Sequence, residues 1–231
     1  MSMIYHPGTG LNVGDPERLP VDPDRLPSSE ELRAEAGNLI LSASGWRKVF
    51  ADSKAPYAPW VLEPASEDSL AETVAAPKLL LAALMAESFG TLVLRRREAA
   101  RKPAVLLGID SRPTGPALAD VFARVLLGLG IEARYCFIVA APEIMAFAGR
   151  AAKLPEGHPE RVDGFVYISA SHNPPGHNGV KFGLGKGGVL SAQEIAPLIA
   201  RLKDAIASDE AASHALALIR AVDIGALAAC Y

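Results

Sequence analysis

From residue 104 onward, the chain alternates apolar, strand-like runs with segments of helical periodicity. The apolar runs at 104–109, 131–139 and 164–168 are separated by helical patterns at 116–129 and 142–149. Strands joined through helices lie mostly parallel, with the helices packed on the faces of the sheet. The sequence therefore predicts an α/β fold: a mixed, mainly parallel sheet with helices on both faces.

Local signals extend this pattern to the rest of the chain. A further strand is predicted to begin at 180–182, and the capping box Ser191-Ala192-Gln193-Glu194 predicts a helix over 192–207. Earlier in the chain, 38–43 and 46–50 are expected to be two strands around a Ser44-Gly45 turn.

A loop is predicted at 52–64, followed by a helical pattern from Ser66 to about Arg97. Pro77 falls inside this pattern, and its ring clashes with a preceding helical turn. We therefore expect either a kink at Pro77 or a later start of the helix.

Composition shifts divide the chain into three parts. Residues 1–37 are rich in Pro, Gly, Asp and Glu and are expected to form an N-terminal arm that lies on a neighbouring surface or is partly disordered, with a short helix at 30–36. Residues 38–220 form the predicted main domain. Residues 221–231 are apolar and are expected to be the start of a truncated second domain or a docking segment.

Charge and cysteine content narrow the class of protein. The net charge of -3 argues against nucleic acid or an anionic membrane as the main partner. We expect no membrane span, since no uncharged apolar stretch of about 18 residues occurs, and residues 1–14 show no secretory signal. The two cysteines, Cys136 and Cys230, are expected to be free thiols. Together these features predict that the protein is located in the cytoplasm.

The segment 164–182 carries the strongest chemical signal and reads G-F-V-Y-I-S-A-S-H-N-P-P-G-H-N-G-V-K-F. A strand that ends in a polar turn holds its last side chains at the sheet edge, where ligands reach them. The turn offers the Ser171 hydroxyl beside the His172 ring, with the Lys181 amine ten residues later. The Asn178-Gly179 pair predicts a tight turn that folds Lys181 back beside Ser171. A nucleophile, a proton shuttle and a cation in so short a span indicate covalent group transfer.

This segment resembles the active-site signature of the α-D-phosphohexomutase family, which includes phosphoglucomutase, phosphomannomutase and phosphoglucosamine mutase. The signature reads roughly T-A-S-H-N-P, a short spacer, then N-G-x-K-F, and Ser169 stands here where threonine is common. Two further segments are similar to family motifs. L-S-A-S-G-W-R at 41–47 resembles G-T-S-G-x-R, and G-I-D-S-R at 108–112 resembles G-R-D-T-R.

The resemblance implies a role for each matching residue. Ser171 would carry a phosphoryl group and hand it to a sugar hydroxyl, with Lys181 as general acid or base. His172 would transfer protons or orient the reacting hydroxyl. Arg47 and Ser44 would bind phosphate, which suits the planar fork of the arginine side chain. Asp110 and Arg112 are expected either to brace the active loop or to form a structural ion pair.

The family activity interconverts hexose 1-phosphate and hexose 6-phosphate through a hexose 1,6-bisphosphate. In the family, Mg²⁺ bridges the phosphoserine and three aspartates of a D-x-D-x-D-R loop, which is not found after Ser171 here. Of that metal site, this chain is expected to supply Ser171 alone, through its phosphate. The resemblance covers only the first of four domains, about 38–207. The remaining domains of the same enzyme are therefore expected partners, and little or no activity is expected of this chain alone.

Sequence hints about the sugar conflict. A serine at position 169, before Ala170, resembles the signature of phosphoglucosamine mutases. Pro174-Pro175 with Asn178-Gly179 is instead common among the glucose and mannose enzymes. Glucose is the expected hexose.

Two other functions stay open. The chain could be a stand-alone sugar-phosphate-binding or regulatory module, favoured by a stop codon after Tyr231 and disfavoured by a reading frame that continues. It could also bind a nucleotide through the glycine-rich run 183–188. Asp204 has the spacing that such a fingerprint requires of its acidic residue but lies in a helical pattern, so a glycine hairpin is expected. The run Asp22-Pro23-Asp24-Arg25 resembles the family's metal loop but lacks its third aspartate, and an N-terminal turn is expected there.

Overall fold

A computed structural model describes residues 3–51, 74–96, 101–174 and 176–231. The strands in these residues are β1 (Ile4–Tyr5), β2 (Asn12–Gly14), β3 (Ile40–Ser42), β4 (Gly45–Val49), β5 (Ala104–Ile109), β6 (Glu132–Ile138), β7 (Gly164–Ile168) and β8 (His177–Leu184). The helices are α1 (Ser29–Ala36), α2 (Ala76–Arg96), α3 (Gly115–Gly128), α4 (Ala141–Ala151), α5 (Ala192–Ala207), α6 (Ala211–Arg220) and α7 (Ile224–Cys230). The predicted loop at 52–64, the predicted helix start at Ser66, and residues Arg97 and Pro175 lie outside the described residues.

The main sheet has the strand order β3-β4-β8-β7-β5-β6. Strand β5 pairs in parallel with β6 and β7, whereas the pairs β7–β8, β8–β4 and β4–β3 are antiparallel. Among the described strands of this sheet, β4, β5, β6 and β7 therefore run in one direction, and β3 and β8 run in the other. The predicted mixed α/β sheet is confirmed, with its parallel pairings confined to β5, β6 and β7.

Helices cover both faces of the sheet. Val105 and Leu107 of β5 belong to the larger hydrophobic core, which is built mainly with α2 and α3. Leu106 and Phe165 belong to a smaller core on the opposite face, closed by α4. Central strands buried on both sides read as continuous apolar runs, as β5 and β7 do.

Several helices begin where the sequence predicts. The Ser191 hydroxyl accepts from the Glu194 backbone N–H, and the Glu194 carboxylate accepts from the Ser191 backbone N–H, which completes the predicted capping box of α5. Helix α2 begins at Ala76 with Pro77 in its first turn, where the missing N–H costs no intrahelical bond. The later start predicted at Pro77 is therefore confirmed.

Helix α2 is also the longest helix of the described residues. By length and composition it could cross a membrane, but 72% of that apolar window is buried by the rest of the domain. Its hydropathy is accounted for by its place in the core. The cytoplasmic location stays a prediction.

The N-terminal residues pack against the domain through the buried Arg124. This side chain is 1% exposed and forms an ion pair with Asp120 at 2.9 Å. Its guanidinium also donates to the carbonyl oxygens of Asp15, Pro16 and Arg18. Because a guanidinium has five N–H donors, one buried arginine can hold a turn of irregular chain in place. The domain boundaries after 37 and 220 stay predictions.

Candidate active site

The loops after β5 and β7 meet the first residues of β8 at one edge of the main sheet. The carboxyl ends of β5 and β7 lie at this edge, and because β8 is antiparallel to β7, its first residues lie there too. The segments that follow β5 and β7 contain Asp110, Arg112 and Ser171. Strand β4 pairs with β8, which brings Arg47 opposite Gly179.

Lys181 and Ser171 are in contact. The Lys181 Nζ donates to the Ser171 Oγ at 3.2 Å and to the Ser169 carbonyl oxygen at 3.0 Å. The contact follows from the pairing of β7 with β8, in which Tyr167 lies opposite Lys181. The structure therefore brings together the predicted nucleophile and the predicted amine.

The predicted turn at Asn178-Gly179 is wrong. Both residues lie inside β8, and the chain reverses before them, where the His177 N–H donates to the Pro174 carbonyl oxygen at 3.0 Å. The Asn178 side chain is fully buried and donates to the Thr114 hydroxyl at 2.9 Å. Strand pairing and this buried hydrogen bond outweigh the local turn preference of the dipeptide.

Ser171 has an uncommon backbone conformation. Its φ is 57°, in the left-handed region that residues other than glycine seldom adopt. Its N–H donates to the Ser169 hydroxyl at 3.1 Å, and the Ser171 side chain is exposed. Strained backbone of this kind persists where surrounding contacts over-determine it, which is frequent at functional sites.

The surroundings of Lys181 favour its neutral form. Partial burial lowers the pKa of the Lys181 ammonium, and the positive charges of Arg47 and Arg112 lower it further, against the opposing effect of Asp110. The ammonium lies 5.5 Å from the centre of the Tyr167 ring. An amine with a lowered pKa at hydrogen-bond distance from a hydroxyl can accept the hydroxyl proton.

Arg47 lies on the same face of the sheet, beside the turn between β3 and β4. Its Nη2 donates to the Ser44 hydroxyl at 3.1 Å, and Ser44 is exposed. Gly45 has a φ of 134°, and a Cβ there would lie 3.2 Å from the Lys181 Cγ. Glycine therefore lets this turn approach Lys181, which places the two predicted phosphate-binding residues beside the amine.

The other predicted residues take different positions. His172 is exposed, and it forms no hydrogen bond with any other residue that the structure describes. Asp110 and Arg112 form an ion pair at 3.1 Å, and Arg112 also bonds the backbone of the Ser171 loop. Sequence reasoning did not single out Tyr167 or Thr114 as site residues, because Tyr167 is part of an apolar strand pattern and Thr114 lies outside the family motifs.

The described residues do not by themselves fit a magnesium ion. Among them, no three His, Cys, Asp or Glu side chains come together as a metal site. Asp110 is the carboxylate beside the loop, and both of its oxygens accept hydrogen bonds from Arg112. We therefore derive no chemical step through a metal.

Two weaker motifs lie away from this edge. The glycine-rich turn follows Leu184 at the far end of β8, at the opposite edge of the sheet from Ser171. Pro23–Arg25 forms a short 3₁₀ turn whose Asp22 side chain accepts from the Asp24 N–H at 2.9 Å. Cys136 and Cys230 are both free thiols.

Known proteins share this architecture. The sequence model described as phosphoglucomutase/phosphomannomutase, alpha/beta/alpha domain I, matches residues 72–209, which is more than half of the chain. A phosphoglucosamine mutase of Clostridium kluyveri is 38% identical over 102 residues, which cover 44% of this chain and 20% of that protein. A phosphoglucosamine mutase of Clostridium acetobutylicum is 39% identical over 90 residues, which cover 39% of this chain and 18% of that protein.

A solved structure agrees in fold. A putative phosphomannomutase from Thermus thermophilus matches with a TM-score of 0.50 and 23% identity, over 71% of this chain and 30% of that chain. The chain thus spans about a fifth of the length of the two clostridial relatives. On its sequence motifs, fold and match to domain I, the chain belongs to the phosphoglucomutase/phosphomannomutase family.

Proposed function

We propose that Ser171 carries a phosphoryl group between hexose phosphates, as the first domain of a phosphohexomutase. The observation that supports this most is the 3.2 Å contact between the Lys181 Nζ and the Ser171 Oγ. A serine hydroxyl is a weak nucleophile unless a neighbouring base takes its proton. In this proposal, Lys181 is that base.

In the loading step, the Ser171 Oγ attacks the phosphorus of a hexose 1,6-bisphosphate. The bond from Oγ to phosphorus forms, and the bond from phosphorus to the sugar oxygen breaks. Lys181 takes the Ser171 proton, and the departing sugar oxygen gains a proton from His172, which takes it back in the return step. The exchange is balanced, with one serine ester formed and one sugar hydroxyl released.

In the return step, a hydroxyl of a hexose monophosphate attacks the phosphoserine. The Ser171 Oγ leaves and takes back a proton from the Lys181 ammonium. His172, exposed and adjacent to Ser171, accepts the proton of the attacking hydroxyl in this proposal. Arg47 and Ser44 hold oxygens of the transferred phosphoryl group, whose charge must be neutralised during transfer.

The complete reaction is proposed for a longer protein. The chain spans about a fifth of the clostridial relatives, so the remaining domains would supply the sugar contacts and the aspartates for Mg²⁺. The isolated 231 residues are expected to show little or no turnover of glucose 1-phosphate. Measurable turnover by this chain alone would contradict the proposal that the remaining domains are needed.

Glucose is the proposed sugar, and glucosamine is the alternative that the two clostridial relatives suggest through their names. The two sugars are compared in the longer protein, because the proposed sugar contacts belong to its remaining domains. Incubation with glucose 1,6-bisphosphate or glucosamine 1,6-bisphosphate, followed by intact-mass measurement, is expected to show one added phosphoryl group. Faster loading from the glucose compound would support the proposed sugar, and faster loading from the glucosamine compound would overturn it.

Ser171→Ala tests the proposed site in the same assay, with Ser208→Ala as a control at the end of α5, far from the loop. The first variant should take up no phosphoryl group, and the second should load as the unchanged chain does. Saturable binding of both sugar bisphosphates without any phosphoryl transfer would instead favour the stand-alone binding module.

A further inference from the structure

The guanidinium of Arg112 lies inside the loop that carries Ser171. The side chain is 11% exposed, and it reaches the loop from the segment that follows β5. Its acceptors on the loop are four backbone carbonyl oxygens, those of Ser171, Asn173, Pro174 and His177.

These bonds use every donor that the side chain has. The Nε–H donates to the Asp110 carboxylate at 3.1 Å, and each terminal nitrogen donates to two carbonyl oxygens at 2.8 to 3.1 Å. A guanidinium has five N–H groups and no more. Arg112 therefore has no donor left for a phosphoryl group on Ser171.

The four carbonyl oxygens converge on the guanidinium of Arg112. Without that positive charge, the loop would not hold these oxygens so close together. Carbonyl dipoles that converge repel one another, and a positive charge at the point of convergence offsets that repulsion. Two of the four belong to Ser171 and Asn173, the residues on either side of His172. The hydrogen bond from Arg112 to the Ser171 carbonyl oxygen restrains the backbone of Ser171, whose φ is 57°.

We propose that Arg112 is a positioning residue that holds Ser171 in its left-handed conformation and so aims the hydroxyl at Lys181, without itself binding the phosphoryl group. The expected effect of Arg112 on phosphoryl transfer rests on the proposed function, whereas its effect on the backbone conformation of Ser171 does not. Lysine cannot replace it, because an ammonium has three donors on one atom and cannot reach four separate carbonyls and a carboxylate.

The test compares Arg112→Lys with Arg134→Lys in the full chain. Arg134 is a matched control, since it donates to the Glu132 carboxylate and the Pro159 carbonyl but lies away from the Ser171 loop. We expect Arg112→Lys to lower the loading rate from glucose 1,6-bisphosphate by about 10- to 100-fold, the loss typical of a displaced reacting group. Arg134→Lys should load at the unchanged rate.

A second readout does not depend on phosphoryl transfer. The one-bond Cα–Hα coupling of Ser171, measured by NMR, distinguishes positive from negative φ. Arg112→Lys should abolish the positive-φ value and Arg134→Lys should keep it. A positive φ retained in Arg112→Lys, or unchanged loading by it, would overturn the proposal. If the unchanged chain fails to load at all, the proposed function fails while the coupling still decides the role of Arg112.

A third readout needs no substitution. The terminal N–H groups of Arg112 should give separate, slowly exchanging signals in the unchanged chain, and these should persist after Ser171 is phosphorylated. Exchange as fast as that of a solvent-exposed arginine, or transfer of these N–H groups to the phosphoryl oxygens, would contradict the assignment even if Arg112→Lys does not fold.

Discussion

The Lys181 ammonium lies 3.2 Å from the Ser171 hydroxyl, although ten residues separate them along the chain. Their contact depends on the sheet, because β8 returns antiparallel to β7 and sets Lys181 opposite Tyr167. The intervening loop bulges outward between them and leaves both Ser171 and His172 exposed. Strand pairing thus fixes the proposed base beside the proposed nucleophile, while the Ser171 loop stays exposed.

The titration of Lys181 should depend on Arg47. Partial burial is the main cause of the lowered pKa of Lys181, and the Arg47 charge is the next. Arg47→Met removes that charge, so we expect the pKa of Lys181 to rise toward the ordinary lysine value of 10.5. The measurement is the pH dependence of acetic anhydride labelling at Lys181, followed by peptide mass spectrometry.

The lowered pKa of Lys181 also makes the stability of the fold depend on pH. Between the lowered pKa of folded Lys181 and the ordinary value, the unfolded chain binds more protons than the folded chain. The Lys181 contribution to the free energy of unfolding therefore increases as the pH rises through that window. A pKa for Lys181 that stays the same or falls in Arg47→Met would show that the two charges do not interact.

Asn178→Ala should destabilise the domain. Asn178 is fully buried, and its amide donates to the Thr114 hydroxyl at 2.9 Å, joining β8 to the start of α3. Removing the amide leaves a buried hydroxyl without that partner, which costs about 1–3 kcal/mol. Urea unfolding measures the loss, and the exposed Asn38→Ala is the control. Equal stability of the two variants would mean that the Thr114 contact contributes nothing.

Gly179→Ala should disturb the site through steric contact. A Cβ at this position would lie 2.8 Å from the Trp46 carbonyl oxygen and 3.0 Å from the Arg47 Cγ. Because backbone atoms cannot yield easily, we expect a loss of about 1–3 kcal/mol in stability and slower loading of Ser171.

Gly188→Ala is the matched control for that substitution. A Cβ at Gly188 would meet nothing within 4 Å, and the residue lies in the glycine-rich turn at the far edge of the sheet. Its stability and loading should be unchanged. A loading defect in Gly188→Ala would point instead to a role for the glycine-rich turn.

Regular elements of this fold are predictable because their signals are local. The capping box at Ser191 determines where α5 begins, and the apolar run of β7 has the bounds 164–168 in both the sequence and the structure. The motif around Ser171 also predicts where the candidate site lies, since a strand followed by a polar turn places its residues at a sheet edge.

The remaining features depend on contacts that no local pattern carries. Asn178-Gly179 has the composition of a turn, but pairing with β4 and the buried bond to Thr114 hold it in a strand. Arg112 is 59 residues from Ser171, and its bonds to the loop appear only when β5 and β7 are neighbours. The ring of Tyr167 beneath Lys181 likewise follows from strand register.

The most direct test of the account is to locate the phosphoryl group. The chain is incubated with glucose 1,6-bisphosphate, digested, and sequenced by tandem mass spectrometry across 164–182, a segment that contains both Ser169 and Ser171. The account predicts a single phosphoryl group, carried by Ser171 and absent from Ser169. A phosphoryl group on Ser169 or another residue, with Ser171 unmodified, would contradict it.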